Sequence, residues 1–361
     1  TMHLLGRYED GLKILEEALE LAREAGIKTV EAKILNQRGV LQLVLIQYEQ
    51  ALHSQQSALT LSRETGDKAG ELSALNSMCN ALYRMSLHDE ALEFGLETLQ
   101  ASRELGERRT EANVLCTIGL VEWRLNRDQE AFDYFGESLK AHRKIGNKMG
   151  QAALFWNMGL VAFNLLCFED GIEYGRKSIE LYREIGNRRR VASKIIIHSM
   201  TLTEMGRTDE AAACLEEYEN NYSDIDDSRT CLQFSHARAV FAFRNGEHGK
   251  SEDYYNRTLE IAHEMKTNEA VAQSLQNIGL IRLEQGRPEE AREYLQKGYE
   301  ALDGSEYLET YLAPAEYFLM TDRREDAIHF ARKAYARAEA AGNRKTMNRA
   351  DDILKELGEK E

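Results

Sequence analysis

The chain has 361 residues, with 61 acidic side chains against 46 basic ones and a formal net charge of −15. That balance disfavours a general nucleic-acid surface, which needs excess Lys and Arg to displace counterions. A mean hydropathy of −0.53, with no apolar run near the roughly 18 residues of a membrane span, argues against a membrane helix. Five scattered cysteines with no CxxC pair fit a reducing, cytoplasmic compartment better than a disulfide framework. The first residues also lack the apolar stretch of a signal peptide.

A small residue follows a short polar turn at Gly11, Ala51, Ala91, Ala131, Gly171, Ala211, Ser251 and Ala291, always 40 residues apart, and Ala327 follows 36 later. Twelve residues before each anchor after the first stands a second small residue: Gly39, Cys79, Gly119, Gly159, Ser199, Ala239, Gly279 and Ala315. Fifteen after the first five anchors, and after Ala327, stand Gly26, Gly66, Gly106, Gly146, Gly186 and Gly342. Two apolar-periodic stretches, each long enough for a helix, lie between anchors. We label them helix A and helix B. The small residues predict close backbone approach where A crosses B. The late glycine predicts a left-handed stop, and the pairs after it (Asp67-Lys68, Asn147-Lys148) supply turn chemistry.

In chain order, Gly6-Arg7-Tyr8 reads as an inter-helix turn, so the first repeat lacks its helix A. The apolar face near residues 8–25 (Leu12, Leu15, Leu19) then lacks a partner, and a cut from a longer protein is the favoured reading. The turns at Leu45-Ile46 and Leu165-Leu166-Cys167 lack the glycine found at Gly206, Gly246 and Gly286. They are expected to pack under the adjacent turn; an exposed partner or self-association edge is the alternative. Residues 219–231 break the glycine pattern and predict a seam between an N-terminal array, 1–218, and a C-terminal one, 232–343. Residues 302–307 predict an irregular turn, and Pro314 predicts a kink in the last helix A. Residues 344–361 predict a capping helix with one apolar stripe: Met347, Ala350, Ile353, Leu354 and Leu357.

The chain resembles the tetratricopeptide repeats in their long form. Their general pattern is W-x2-L-G-x2-Y followed by A-x3-F. Here it reads Phe155-x2-Met158-Gly159, Leu115-x2-Ile118-Gly119 and Leu275-x2-Ile278-Gly279, then Ala131-x3-Phe135, Ser251-x3-Tyr255 and Ala291-x3-Leu295. The Trp column is aliphatic or Phe, and Gly replaces the closing Pro. The resemblance implies an all-α, right-handed superhelical solenoid of about eight to nine antiparallel helix pairs, the first incomplete. The turn chemistry is similar to that of the spindle adaptor LGN/Pins and of bacterial and archaeal signalling proteins, including MalT-like regulators.

The resemblance further implies a concave groove lined by A helices. The corresponding columns hold Asn36, Asn76, Asn80, Asn113, Asn157, Asn164 and Asn277, with Gln37, Thr117 and Gln276 beside them. The aromatics there are Tyr83, Trp123, Trp156, Phe163 and Phe243, with His236; the arginines are Arg84, Arg124 and Arg244. Phe155 is assigned to the core and its neighbour Trp156 to the groove. Asn amides both donate to and accept from a peptide backbone, Arg grips a carboxylate by two parallel bonds, and aromatics add contact area at low entropic cost. The expected ligand is a peptide or helix with acidic and apolar side chains. The alternative is that the aromatics fill inter-repeat packing and the Asn bridge neighbouring A helices. The Lys/Arg/Asn pattern that clamps chaperone tails does not assemble.

No GxxxxGK[ST], HExxH or GxSxG motif occurs, and the nine His show no metal-ligand spacing. His198 reads as a core histidine, and Cys79 and Cys116 as packing residues. The expectation is therefore a non-catalytic interaction scaffold without metal or cofactor. The alternatives are the sensor part of a larger signalling or transcription-regulatory ATPase, and a homo-oligomer joined through the uncapped first helix or the apolar turns.

Overall fold

The computed structural model describes residues 2–301, 312–320, 323–340 and 344–359. Every described element is an α-helix, and the helices divide into two compact units, Thr1–Ile185 and Gly186–Glu361. In the first unit the A helices are α2 (Lys28–Val44), α4 (Lys68–Arg84), α6 (Arg108–Arg124) and α8 (Lys148–Asn164). The B helices are α1 (Met2–Glu24), α3 (Tyr48–Thr65), α5 (His88–Leu105), α7 (Asp128–Lys144) and α9 (Phe168–Glu184). Each A helix packs against the B helices on either side of it in sequence. The second unit holds α10 (Arg188–Glu204), α11 (Thr208–Tyr222), α12 (Ser228–Arg244), α13 (His248–Met265), α14 (Asn268–Glu284) and α15 (Pro288–Glu300). It continues with α16 (Leu312–Met320), α17 (Arg324–Ala340) and α18 (Arg344–Glu356).

The small columns sit where helix A meets helix B. A Cβ built on Gly39 would lie 3.1 Å from the Ala51 carbonyl, and one on Gly159 would lie 3.1 Å from the Gly171 carbonyl. At two crossings a Cys or Ser in these small columns bonds across to the facing helix. The Cys79 thiol donates to the Ala91 carbonyl at 3.3 Å, and Ser251 Oγ donates to the Ala239 carbonyl at 2.8 Å. The residue four after each anchor then fills or spares the space: Phe135, Leu215, Tyr255 and Leu295 are buried core. In the α18 stripe Ala350, Ile353 and Leu357 are buried, with Leu354 packed beside them and Met347 half-buried.

The helix ends follow local chemistry. Asp67, Asn147, Asn187 and Asp227 each accept from the backbone N–H three residues on, capping four A helices. The left-handed position after helix A is filled by Gly206, Gly246 and Gly286, but also by Ile46, Ser86, Asn126 and Leu166, all with φ near +60°. Closure forces this: the Gln47 N–H reaches back to the Gln42 carbonyl at 2.9 Å, which only a left-handed residue 46 allows. Ile46 and Leu166 are 71% and 72% exposed, so the expectation that they pack under the next turn is overturned. Each side chain carries the Cβ penalty of that conformation with little contact in return. Ile46→Gly is expected to stabilise the first unit by about 0.5–1 kcal/mol, net of the extra freedom Gly gives the unfolded chain, read as a higher urea midpoint. A fall would mean that the Ile side chain contributes packing that outweighs its strain.

Two further expectations differ from the structure. Gly6-Arg7-Tyr8 is not a turn: α1 runs unbroken through it. The stretch 219–231 covers the end of α11, a short connection and the start of α12, and so lies inside the second unit. Contacts hold the two helices across it. Tyr218 stacks on Phe234 at 4.3 Å, Arg238 Nε donates to Glu219 at 3.1 Å, and Asp227 pairs with Arg189 of α10. The turn expected at 302–307 lies outside the described residues, as do Gly342 and the Pro314 side chain with the kink expected there.

Candidate functional site

The A helices of the first unit begin 40 residues apart, so equal offsets share a face. On α4, Asn80 and Arg84 are exposed one turn apart, and Arg84 Nε donates to Asn80 Oδ1 at 3.2 Å. On α6, Arg124 repeats the Arg84 position, with its guanidinium 5.6 Å from the Trp123 ring centroid. Asn113 is exposed one further stretch up the same face, and its carbonyl accepts from Thr117 Oγ1 at 3.3 Å. Asn157 on α8 is half-buried at the Thr117 offset. None of these amide groups is deep enough to be costly when unligated.

Beside that stripe runs a half-buried aromatic column: Tyr83, Trp123 and Phe163. Tyr83 lies 6.3 Å from the His88 ring and Phe163 lies 6.2 Å from Phe168. Trp123 packs on the cluster of Phe135, Phe155 and Met158. Burial, then the Arg124 charge, lowers the pKa of His88, so its ring is neutral at neutral pH. Phe155 is buried and stacks on Tyr174 at 6.0 Å, while Trp156 is half-buried.

Several other expected groove residues are engaged elsewhere. Asn36 is only 7% exposed, and its Nδ2 donates to Ser73 Oγ on α4 at 2.8 Å, bridging neighbouring A helices. Asn164 Nδ2 donates to Asp128 Oδ1 at 3.0 Å, tying α8 to the start of α7. Asn76 is half-buried and Gln37 exposed. Phe243, Arg244, His236, Gln276 and Asn277 belong to the second unit. There Phe243 meets His248 edge-on at 5.9 Å, Arg244 is exposed, and Asn277 Nδ2 donates to its own helix at the Gln273 carbonyl, 2.8 Å. Gln276 is buried; His236 lies edge-on to Tyr255, and burial pushes its pKa down to about 4. His198 is buried too. The sequence reading passed over Val40 and Val44, which occupy the Asn80 and Arg84 offsets on α2 and are 40% and 47% exposed. The 40-residue column was the signal for them, masked because Val on a helix reads as core.

Among the described residues no group of three or more His, Cys, Asp or Glu is placed to hold a metal ion, and no helix is long and apolar enough to cross a membrane. The stripe is equipped for recognition: guanidinium forks for carboxylates, amides for a peptide backbone, and ring faces for apolar groups.

Residues 70–144 and 231–304 match the family profile described as tetratricopeptide repeat. No curated protein matches the chain. Among solved structures, the apo quorum sensor NprR from B. thuringiensis is similar with a TM-score of 0.57 at 14% identity, covering 94% of this chain and 99% of that one. NprR in complex with its cognate peptide NprX is similar with a TM-score of 0.54 at 14% identity, covering 87% and 98%. A STAND signal-transduction ATPase with a tetratricopeptide repeat sensor, from Pyrococcus horikoshii, has a TM-score of 0.60 at 18% identity, covering 74% of this chain and 42% of that one. Small-residue crossings, left-handed stops and a 40-residue register define a solenoid of helical hairpins. The two matched segments read as tetratricopeptide repeats, and the chain is similar in fold to these solved structures.

Proposed function

We propose that the A-helix face of the first unit binds a peptide or helical segment of a partner protein, and that the chain is a non-catalytic interaction scaffold. One observation carries the reading. Arg84 and Arg124 stand exposed at the same offset of neighbouring helices, flanked by Asn80, Asn113 and Asn157 and backed by Tyr83, Trp123 and Phe163. The arginines take acidic side chains of the ligand, the amides its backbone, and the ring column its apolar side chains. Val40 and Val44 extend the apolar part towards α2. The peptide complex of NprR supports this reading through its fold.

The test is selection from a displayed random-peptide library on the full chain. The triple variant Arg84→Ala, Arg124→Ala and Asn157→Ala is expected to lose the enriched sequences while its thermal midpoint stays nearly unchanged. If it unfolds markedly earlier, those residues are structural and the assignment fails. If it retains the peptides, they bind elsewhere.

A second reading is a sensor within a larger signalling ATPase. The Pyrococcus horikoshii structure supports it, since this chain spans 42% of that one. A reading frame with a nucleotide-binding loop beside the repeats would favour it. A third reading, self-association, rests on the exposed Ile46 and Leu166 side chains. Light scattering that gives a concentration-independent monomer mass would remove it.

A further inference from the structure

An ion pair recurs at one place in the repeat, linking the start of helix A to the end of the following helix B. Lys28 bonds Glu64 at 3.0 Å and Lys148 bonds Glu184 at 2.9 Å in the first unit, and Arg188 bonds Asp224 at 2.8 Å in the second. At the equivalent place on α6 and α7 the residues are Arg108 and Lys144, two cations. They line a cleft of about 430 Å³ together with Lys140, Leu115, Ala141, Glu111 and Glu137. Those two glutamates share Arg103, which bonds Glu111 at 3.1 Å and Glu137 at 3.0 Å. Among the described residues, Arg108, Lys140 and Lys144 have no carboxylate partner.

Three unpaired cations in one cleft are out of character for a chain of net charge −15. Like charges brought into one cleft, at a place where three other repeats carry a bond, are unfavourable unless an anion lies between them. The volume is within the range of small-ligand sites, and Leu115 and the half-buried Ala141 are the apolar residues of its lining. The cleft is separate from the proposed peptide face: Glu111 and Leu115 point away from Asn113 and Thr117 on α6, two residues being about 200° apart on a helix.

We propose that this cleft binds a small phosphate-bearing anion. Arg108, Lys140 and Lys144 take the phosphoryl oxygens, and the rest of the ligand lies over Leu115 and Ala141. A phosphoryl group suits three cationic donors lining one cleft better than one carboxylate does, because it presents three acceptor oxygens and up to two charges.

The test is isothermal titration of the full chain with inorganic pyrophosphate, and separately with citrate, at matched ionic strength. Saturable pyrophosphate binding is expected, at least about tenfold tighter than citrate. Lys144→Glu is expected to weaken pyrophosphate at least about tenfold, with an unchanged or higher thermal midpoint, because it installs the ion pair seen at Lys28 and Glu64. Arg108→Gln serves as the second variant and is expected to show a similar loss. The proposal is overturned if the wild-type chain shows no saturable pyrophosphate binding, or if both variants bind it as well as wild type. Equal binding of citrate would overturn the assignment to phosphate.

Discussion

Phe135→Ala is expected to destabilise the first unit by about 3–5 kcal/mol. The Phe135 ring is fully buried and lies directly on Gly119, where an added Cβ would fall 2.7 Å from ring carbons. It is surrounded by Leu139, Leu154, Phe155 and Met158. Gly119 has no side chain to swing into the space, and the Ala131 carbonyl would sit 3.2 Å from a Cβ there, so the backbones are already close. The cavity therefore persists and its cost adds to the lost transfer energy. Because each repeat contacts chiefly its neighbours, the loss should fall first on amides of α6, α7 and α8. Hydrogen exchange resolved by segment, alongside the urea midpoint, reads it. A change below about 1 kcal/mol would mean that the crossing collapses around the missing ring.

Gly159→Leu is expected to act by the opposite mechanism and to cost about 1–3 kcal/mol or more. The α8–α9 crossing is backbone against backbone: a Cβ on Gly159 would sit 3.1 Å from the Gly171 carbonyl and 3.6 Å from the Gly175 amide. No rotamer change relieves such contacts, so α9 must move away and loosen the seat of Tyr174 against Phe155 and Phe132. Thermal unfolding followed by circular dichroism measures it. The comparison with the Arg84/Arg124/Asn157 variant is informative. One change strikes packing and should lower the midpoint, while the other strikes recognition and should leave it in place. If both lower it equally, the separation of core and ligand face drawn on α8 is wrong.

The structure keeps the sequence register closely. The A helices of the first unit begin at residues 28, 68, 108 and 148, as the anchors require. The stops at Gly26, Gly66, Gly106, Gly146 and Gly186 all have positive φ, and Lys266 takes the same conformation one period beyond the next site. The errors are of a different kind. Gly6 in α1 resembles a turn glycine, yet the helix passes through it. Ile46 and Leu166 have sequences that argue for burial, yet they are exposed and left-handed. Asn36 and Asn80 sit in A helices of the same family column set, yet one amide ties α2 to α4 and the other receives only Arg84 of its own helix.

By itself the sequence determined the helical class, the 40-residue period, the helix ends and the small residues at each crossing. These are local properties: helix periodicity, the absence of a Cβ and cap chemistry act within a few residues and leave a repeating trace. Only the tertiary structure decided which Asn and Arg stay available to a ligand, where cations meet without a carboxylate, and which turns bear strain. Those outcomes depend on partners about 36 or 37 residues away, such as Ser73 for Asn36 or Lys144 opposite Arg108. Such pairings are settled by how the two helices of a hairpin, or two successive hairpins, pack on each other, and the helical pattern within a single helix carries no record of them.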